Sequence, residues 1–270
     1  MLFYLRDLIK MEKFNKVLPP GTILTLMYLK ERLRNLVPGK FIEVGPGSSG
    51  LVSKVLIDLG WKGVAYELNH DSVEILNYNF GAYISKGQFE VKNIDWLKTD
   101  KIDPADLIIS CMVLEHLSSI QEEEFIDKAY HALNKKGLLI TIVPSSQKHW
   151  GIEDEIAGHF RRYSIETVKQ LVNNKRWKIK DIQGLTYPLS NMLFPISNYL
   201  VKRNEKSKLN LSLIERTKQS GNRNVLMKTD YPKILKYILN EITLYPLHVF
   251  QKMFNYKNAL NLYFEVQKND

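Results

Sequence analysis

The chain has 270 residues, 44% of them hydrophobic and 25% charged, enough apolar content to bury a sizeable core. A single cysteine, Cys111, excludes an internal disulfide framework and fits a reducing, cytoplasmic compartment. The start, Met1-Leu-Phe-Tyr-Leu-Arg-Asp7, predicts no signal peptide, and no run of about 18 uncharged apolar residues marks a membrane span. The net charge of +9 is concentrated: residues 186–258 hold 12 Lys and Arg against 4 Asp and Glu. Such a segment meets nucleic acid, anionic lipid or a phosphorylated small molecule, or is a solvated face.

Residues 1 to about 36 read as a helical extension, with Met11–Asn15 and Thr22–Asn35 separated by the breaker Pro19-Pro20-Gly21. The first strand is expected at Lys40–Val44, followed by a glycine turn and a helix at Leu51–Leu59. Gly63–Leu68 reads as a second strand, and Asp71–Tyr78 as a helix opened by His70 or Asp71. Gln88–Asn93 is a weaker third strand. The continuous apolar run Asp106–Met112 predicts a buried fourth strand. Ser119–Leu133 is a helix capped by Ser118 or Ser119, with acids in its first turn. Gly137–Val143 is a fifth strand, stopped by Pro144. A helix over Ser164–Asn174 and a strand over Trp177–Gln183 follow. Residues 186–258 read as a basic insertion, with an amphipathic helix from Pro232 to Phe254. The alternating segment Ala259–Gln267 reads as a last strand. Strands alternating with helices predict a parallel sheet covered on both faces.

The stretch Phe41-Ile-Glu-Val-Gly-Pro-Gly-Ser-Ser-Gly50 joins the first strand to its helix. Glycines there let a ligand approach bare backbone amides. Gly45, Gly47 and Gly50 fit the dinucleotide fingerprint, and Glu67 lies about 20 residues on, as that fingerprint asks. The loop alone therefore leaves a nicotinamide dinucleotide and S-adenosylmethionine both open, because both present a ribose to a carboxylate at the second strand's tip.

Other residues separate the two. Glu43 stands just before the first glycine, Asn93-Ile-Asp-Trp96 follows the third strand, and Val113-Leu-Glu-His-Leu117 follows the fourth. With the closing alternating strand, this set resembles the class I S-adenosylmethionine-dependent methyltransferases, in the small-molecule branch related to quinone-biosynthesis methyltransferases. The resemblance covers roughly residues 36–185 and, by position, the last strand. Ser49 stands where the family's third glycine usually lies. The resemblance implies a Rossmann-like, seven-stranded, mostly parallel sheet with an antiparallel last strand. It implies one domain over 1–270: an extension (1–36), a cofactor-binding core (37–185), a basic insertion or lid (186–258) and the final strand (259–270).

By the same resemblance, Gly45 and Gly47 pass beneath the methionine and ribose of S-adenosylmethionine, with Ser49 admitting the same close approach. Glu43 holds the loop or the ammonium group. Glu67, with Leu68 beside it, accepts from the ribose hydroxyls, and Asp95 accepts from the adenine amino group, with Trp96 or Ile94 flanking the ring. Cys111, Met112 and Val113 line the methyl-donor end, and S-adenosylhomocysteine is the product. His116 faces the acceptor, and His116, His149 and His159 are candidate bases, with His116 and His159 preferred. Glu153-Asp154-Glu155 lacks convincing ligand spacing with His149 and His159 and reads as an exposed acidic helix start, so no metal site is expected.

Gly158-His-Phe-Arg-Arg-Tyr-Ser164 is a second notable segment. Arg161, Arg162 and Tyr163 make an anion-binding constellation, because arginine presents a fork of donors matched to carboxylate or phosphate. The alternative is that these arginines pin the loop to nearby acids. The segment resembles a stretch in methyltransferases found with bacterial surface-polysaccharide biosynthesis. Lys218 and Arg223 are expected on a lid over the site. The expected acceptor is a small anionic metabolite, phosphorylated or linked to a nucleotide or sugar. A membrane-surface methyltransferase acting on a lipid-linked acceptor and an RNA methyltransferase remain alternatives, and an NAD-dependent oxidoreductase is a weaker one. No nucleic-acid-binding module is recognisable, so no stable nucleic-acid partner is expected; peripheral contact with the inner membrane face stays open, as does the oligomeric state.

Overall fold

The computed structural model describes residues 16–173, 176–220, 225–229, 231–253 and 257–269, the side chains of residues 214 and 218–220 excepted. Helix α1 (Pro20–Arg34) precedes β1 (Lys40–Val44), α2 (Leu51–Asp58), β2 (Lys62–Tyr66), α3 (His70–Ile84) and β3 (Phe89–Lys92). The chain continues through β4 (Ala105–Cys111), α4 (Ser119–Ala132), β5 (Leu133–Pro144), α5 (Ile152–Ala157), α6 (Ile165–Leu171) and β6 (Trp177–Leu185). Helices α7 (Leu189–Glu205), α8 (Leu213–Ser220) and α9 (Tyr245–Met253) then lead to β7 (Asn261–Lys268).

These strands form one seven-stranded sheet in the order β3-β2-β1-β4-β5-β7-β6. Strands β1 to β5 pair in parallel, and β7 inserts antiparallel between β5 and β6. The Rossmann-like architecture implied by the sequence is therefore present. Alternation along the strands splits the core into two layers. On one face Phe41, Leu107 and Ile109 meet Leu33 of α1, Leu56 of α2 and Phe80 of α3. On the other, Ile42, Ile108 and Leu139 meet Phe125 and Ala129 of α4 and Val168 of α6. Ile23, Leu24 and Met27 of α1 make a third cluster with Leu244 and, at its edge, Leu189 and Leu247. Thus the long segment between β6 and β7 rests on α1.

Several boundaries differ from the sequence reading for local reasons. Pro20 opens α1 rather than breaking it, since the first helical residue needs no N–H partner. Helix α3 runs on to Ile84, and its cap is Asn69, whose side chain accepts from Ser72 N at 3.0 Å. Ser118 and Gln121 close a reciprocal capping box on α4. The helix expected over 232–254 is divided into a 3₁₀ turn at Lys233–Tyr237 and α9. Asn240 Oδ1 accepts from the amides of Ile242 and Thr243, giving the backbone an alternative to continuing the helix. The helix expected over Met11–Asn15 lies outside the described residues.

One acid is built into the sheet. Glu43 is 2% exposed on β1 and accepts a hydrogen bond from the Ser53 hydroxyl of α2. Burial pushes its pKa up to about 7, with the Glu67 charge acting in the same direction against the Ser53 bonds. The native state thus holds this proton more tightly than the unfolded chain, where glutamate titrates near ~4.3. Its stabilising contribution is complete below that value and is lost as pH rises through about 7. Glu43→Gln should therefore gain a few °C in Tm on wild type between pH 5 and pH 8. A difference in Tm that stays constant over this range in thermal melts would contradict the assignment.

Candidate active site

The site lies at the carboxyl ends of β1, β2, β3 and β4, where chain order reverses between β1 and β4 and the loops part. Gly45, Gly47 and Gly50 adopt positive φ, a conformation costly for side chains with a Cβ. A Cβ on Gly45 would come within 2.7 Å of Val113 Cγ2, so the glycine loop touches the segment after β4 directly. Gly45 N–H donates to Tyr66 O at 2.9 Å, and Gly47 N–H donates to Glu67 Oε2 at 3.0 Å. Glu67 Oε1 also accepts from Asn69 N at 2.8 Å.

The Glu67 contact turns the Gly47 amide to a carboxylate and ties the glycine loop to the tip of β2, with Glu43 the acid on the neighbouring strand. A carboxylate has about four acceptor positions, so Glu67 can still take ribose hydroxyls.

The other residues predicted for this end are sorted by the structure. Ser49 and Leu68 are exposed beside the loop. Asp95 caps a 3₁₀ turn, accepting from Leu97 N at 3.0 Å, with its second oxygen 4.0 Å from Lys98 Nζ. Trp96 is not available to flank a ring. It is 2% exposed and packs on Phe125 of α4 at 4.9 Å, whereas Ile94 is 42% exposed. Cys111 is a free, partly buried thiol whose pKa is pushed up to about 12 by burial and by Glu115 and Glu43, which leaves it a poor nucleophile. Met112 holds a left-handed φ of 58° as its N–H bonds to Ile142 O at 2.8 Å, turning the chain sharply out of β4. Asn93, given no role from sequence, stitches the strand tips by donating to Glu67 O at 2.9 Å and Leu68 O at 3.2 Å.

Past Val113 the chain makes a 3₁₀ turn, Leu114–His116. Glu115 is fully buried, and neither carboxylate oxygen has a hydrogen-bond partner of normal geometry among the described residues. Burial pushes its pKa up to about 7. His159 arrives from the end of α5, held by Phe160 N–H donating to Glu115 O at 2.7 Å. The His116 and His159 rings meet edge to face at 4.7 Å. Burial and the neighbouring His159 drive the His116 pKa down to about 3, so this ring is neutral near pH 7 and weak as a base. His149 stands apart from this group, with Nε2 at 3.0 Å from Asn258 O.

The residues behind His159 correct the sequence reading most. Asp154 is fully buried, not part of an exposed acidic face. Its Oδ1 pairs with His159 Nδ1 at 2.8 Å and accepts from Arg162 Nε at 2.8 Å, while Oδ2 accepts from Gly151 N at 2.9 Å. Burial raises its pKa, but these bonds outweigh it and hold the carboxyl below the usual range. Arg162 is spent on this contact and on Ser145 O. Arg161 binds Glu122 at 2.6 Å, Leu117 O and Ser119 Oγ. Tyr163 is 3% exposed and donates to Glu122. The three residues expected to bind an anion therefore brace the loop in this structure, the alternative the sequence had left open. The signal was present: Asp154 stands at the third helical position after Gly151, where an acid reaches back to the cap amide. Helix α8 packs beside this loop, since a Cβ on Gly158 would meet Thr217 Oγ1 at 3.0 Å. Lys218 lies on α8, but its side chain and Arg223 lie outside the described residues.

The model of a family described as a methyltransferase domain matches residues 24–178, more than half of the chain. No curated protein matches the sequence. Among solved structures, the mycolic acid cyclopropane synthase CmaA1, complexed with S-adenosylhomocysteine and CTAB, is similar at TM-score 0.57 and 14% identity, over 91% of this chain and 84% of that one. The [4+2]-cyclase SpnF is similar at TM-score 0.56 and 12% identity, over 91% and 81%. The N-methyltransferase NodS from Bradyrhizobium japonicum, complexed with S-adenosylhomocysteine, is similar at TM-score 0.51 and 15% identity, over 63% and 81%. The chain spans about half of two further structures, the pyocyanin biosynthetic protein PhzM (54%) and TehB from Haemophilus influenzae (55%). With the fold, the glycine loop and the family match in agreement, the chain belongs to the methyltransferase-domain family and shares the Rossmann-like fold of these structures.

Proposed function

We propose that the protein methylates an oxygen or nitrogen of a small anionic metabolite, one that is phosphorylated or linked to a nucleotide or sugar. The observation that carries this reading is the contact between Gly45 and Val113: it brings the glycine loop to a residue two before Glu115 and three before His116. When bound, S-adenosylmethionine supplies a methyl group already activated on a sulfonium. Glu67 and Asp95 would hold its ribose and adenine, Ile94 would flank the ring, and Glu43 with the Gly45–Gly47 turn would seat the amino-acid end. The chain's own task is then largely alignment, since fixing two reactants in line supplies much of the acceleration.

The acceptor atom belongs beside Glu115, His116 and His159. Its proton needs a recipient, and His159 is the better placed ring because Asp154 fixes its Nδ1 and leaves Nε2 turned toward Glu115, 3.9 Å from Oε1. His116, held neutral, is better suited to contact the acceptor. Anionic character in the acceptor is supported by the basic segment 186–258, whose helix α8 rests on Gly158 next to His159. A part in surface-glycan synthesis is supported by the resemblance of residues 158–164.

One observation favours a second reading, a lipid-linked acceptor at an anionic membrane surface. Met192, Ile196 and Tyr199 of α7 are 59–72% exposed, as are Ile234 and Tyr237 at 72–73%, within the same lysine-rich segment. Among the described residues no helix is long and apolar enough to cross a membrane. On this reading the protein co-sediments with phosphatidylglycerol vesicles and is released by salt; equal recovery with and without vesicles would leave the soluble acceptor.

S-adenosylhomocysteine at 100 times its Kd should raise the melting temperature by roughly 5–10 °C, and Glu67→Ala should abolish the shift. Absence of a shift in wild type would contradict cofactor binding, and a shift with NADH instead would favour the oxidoreductase. Asp154→Asn should lower methyl transfer about a hundredfold while keeping that shift, because it frees His159 and Arg162 without touching the cofactor loop. Unchanged turnover would show that the buried acid does not position the site.

A further inference from the structure

We propose that Glu115, His116 and His159 bind one divalent transition-metal cation. Each offers one ligand atom, and the three atoms lie within 4.8 Å of one another. Two come from the turn after β4 and one from the loop after α5, so the site exists only in the folded chain. Their separation along the sequence also explains why no ligand pattern was visible there.

Three observations support a cation over an accidental cluster. Both Glu115 oxygens and His116 Nδ1 are buried and lack hydrogen-bond partners among the described residues. A fully buried carboxylate left in that state is costly unless a proton or a cation compensates it. Second, His159 carries the outer support that metal-bound imidazoles have: its Nδ1 is fixed by the Asp154 carboxylate, which Arg162 and the Gly151 amide fix in turn. That leaves Nε2 as the ligand atom, facing Glu115. Third, the His116 and His159 side chains are only partly buried, so the cluster is not sealed from solvent.

Two imidazoles and one carboxylate suit zinc, iron(II), cobalt(II) or manganese(II) rather than calcium or magnesium, which prefer all-oxygen shells. One carboxylate against a dication leaves a net positive site, fit for an anionic or polarised oxygen. The inference rests on the acceptor reading above and deepens it: with His159 Nε2 ligating the cation instead of taking a proton, the cation would hold an acceptor hydroxyl and lower its pKa, so that the proton passes to solvent water before the oxygen takes the methyl group.

The test is a cobalt(II) titration of metal-free full-length protein, followed by its visible d–d absorption. Wild type should give one equivalent with a saturating spectrum that zinc bleaches. Glu115→Gln and His159→Asn should lose it, Asp154→Asn should weaken affinity by about tenfold or more, and His131→Ala, at an exposed site on α4, should match wild type. Circular dichroism checks that each variant folds. A wild type without a stoichiometric spectrum, or a Glu115→Gln variant that titrates like wild type, overturns the proposal in favour of a protonated Glu115 carboxyl. The S-adenosylhomocysteine melting shift is read on the same samples. If the shift persists without a cobalt spectrum, the cation alone is lost; if both fail, the reading of the site falls with it.

Discussion

Everything at the site depends on one constraint of the sheet: parallel strands deliver their carboxyl ends to the same edge. After β3 the chain returns to the other side of β1 and pairs β4 against it. Neighbouring loops from β1 and β4 are then forced to part, and the crevice between them opens without being excavated from the core. Gly45 and Val113 are the floor of that crevice. The cofactor loop and the Glu115–His116 turn are neighbours because their strands are.

Along this edge the chain keeps a series of buried acids, and their partners give each a different character. Glu43 is met by Ser53, and burial still pushes it toward its neutral form. Glu67 takes two backbone amides at the tip of β2. Asp154 takes an imidazole, a guanidinium and an amide, and stays charged despite burial. Glu115 has no such partners among the described residues. Removing a carboxylate from water is costly unless hydrogen bonds or opposite charge replace the solvent, so this gradation is a gradation in what each group can still bind. The acid with the least compensation sits where the acceptor would be.

Elements governed by local chemistry were legible in the chain. Lys40–Val44 has the bounds read from its apolar run, and the Ser118 and Ser164 caps follow from side chains that serve amides three residues on. The antiparallel seventh strand came through resemblance, since alternation alone does not give strand direction. Contacts between distant segments were less legible. Trp96 looked like a ring-stacking residue because it follows Asp95, yet α4 covers it. Arg161 and Arg162 looked free because Glu122 and Asp154 are remote or seemed exposed; the parallel bridge of Tyr163 to Ser145 draws that loop onto the sheet and closes the ion pairs. The long amphipathic pattern over 232–254 hid Asn240, whose side chain diverts the backbone into a turn.

The most direct measurement is a crystal structure with S-adenosylhomocysteine bound. The ribose hydroxyls should lie within hydrogen-bond distance of Glu67, the adenine beside Asp95 and Ile94, and the sulfur at the Cys111–Val113 turn, facing Glu115 and His159. Density for the ligand elsewhere, or a sulfur turned away from the Glu115–His159 group, would contradict this arrangement.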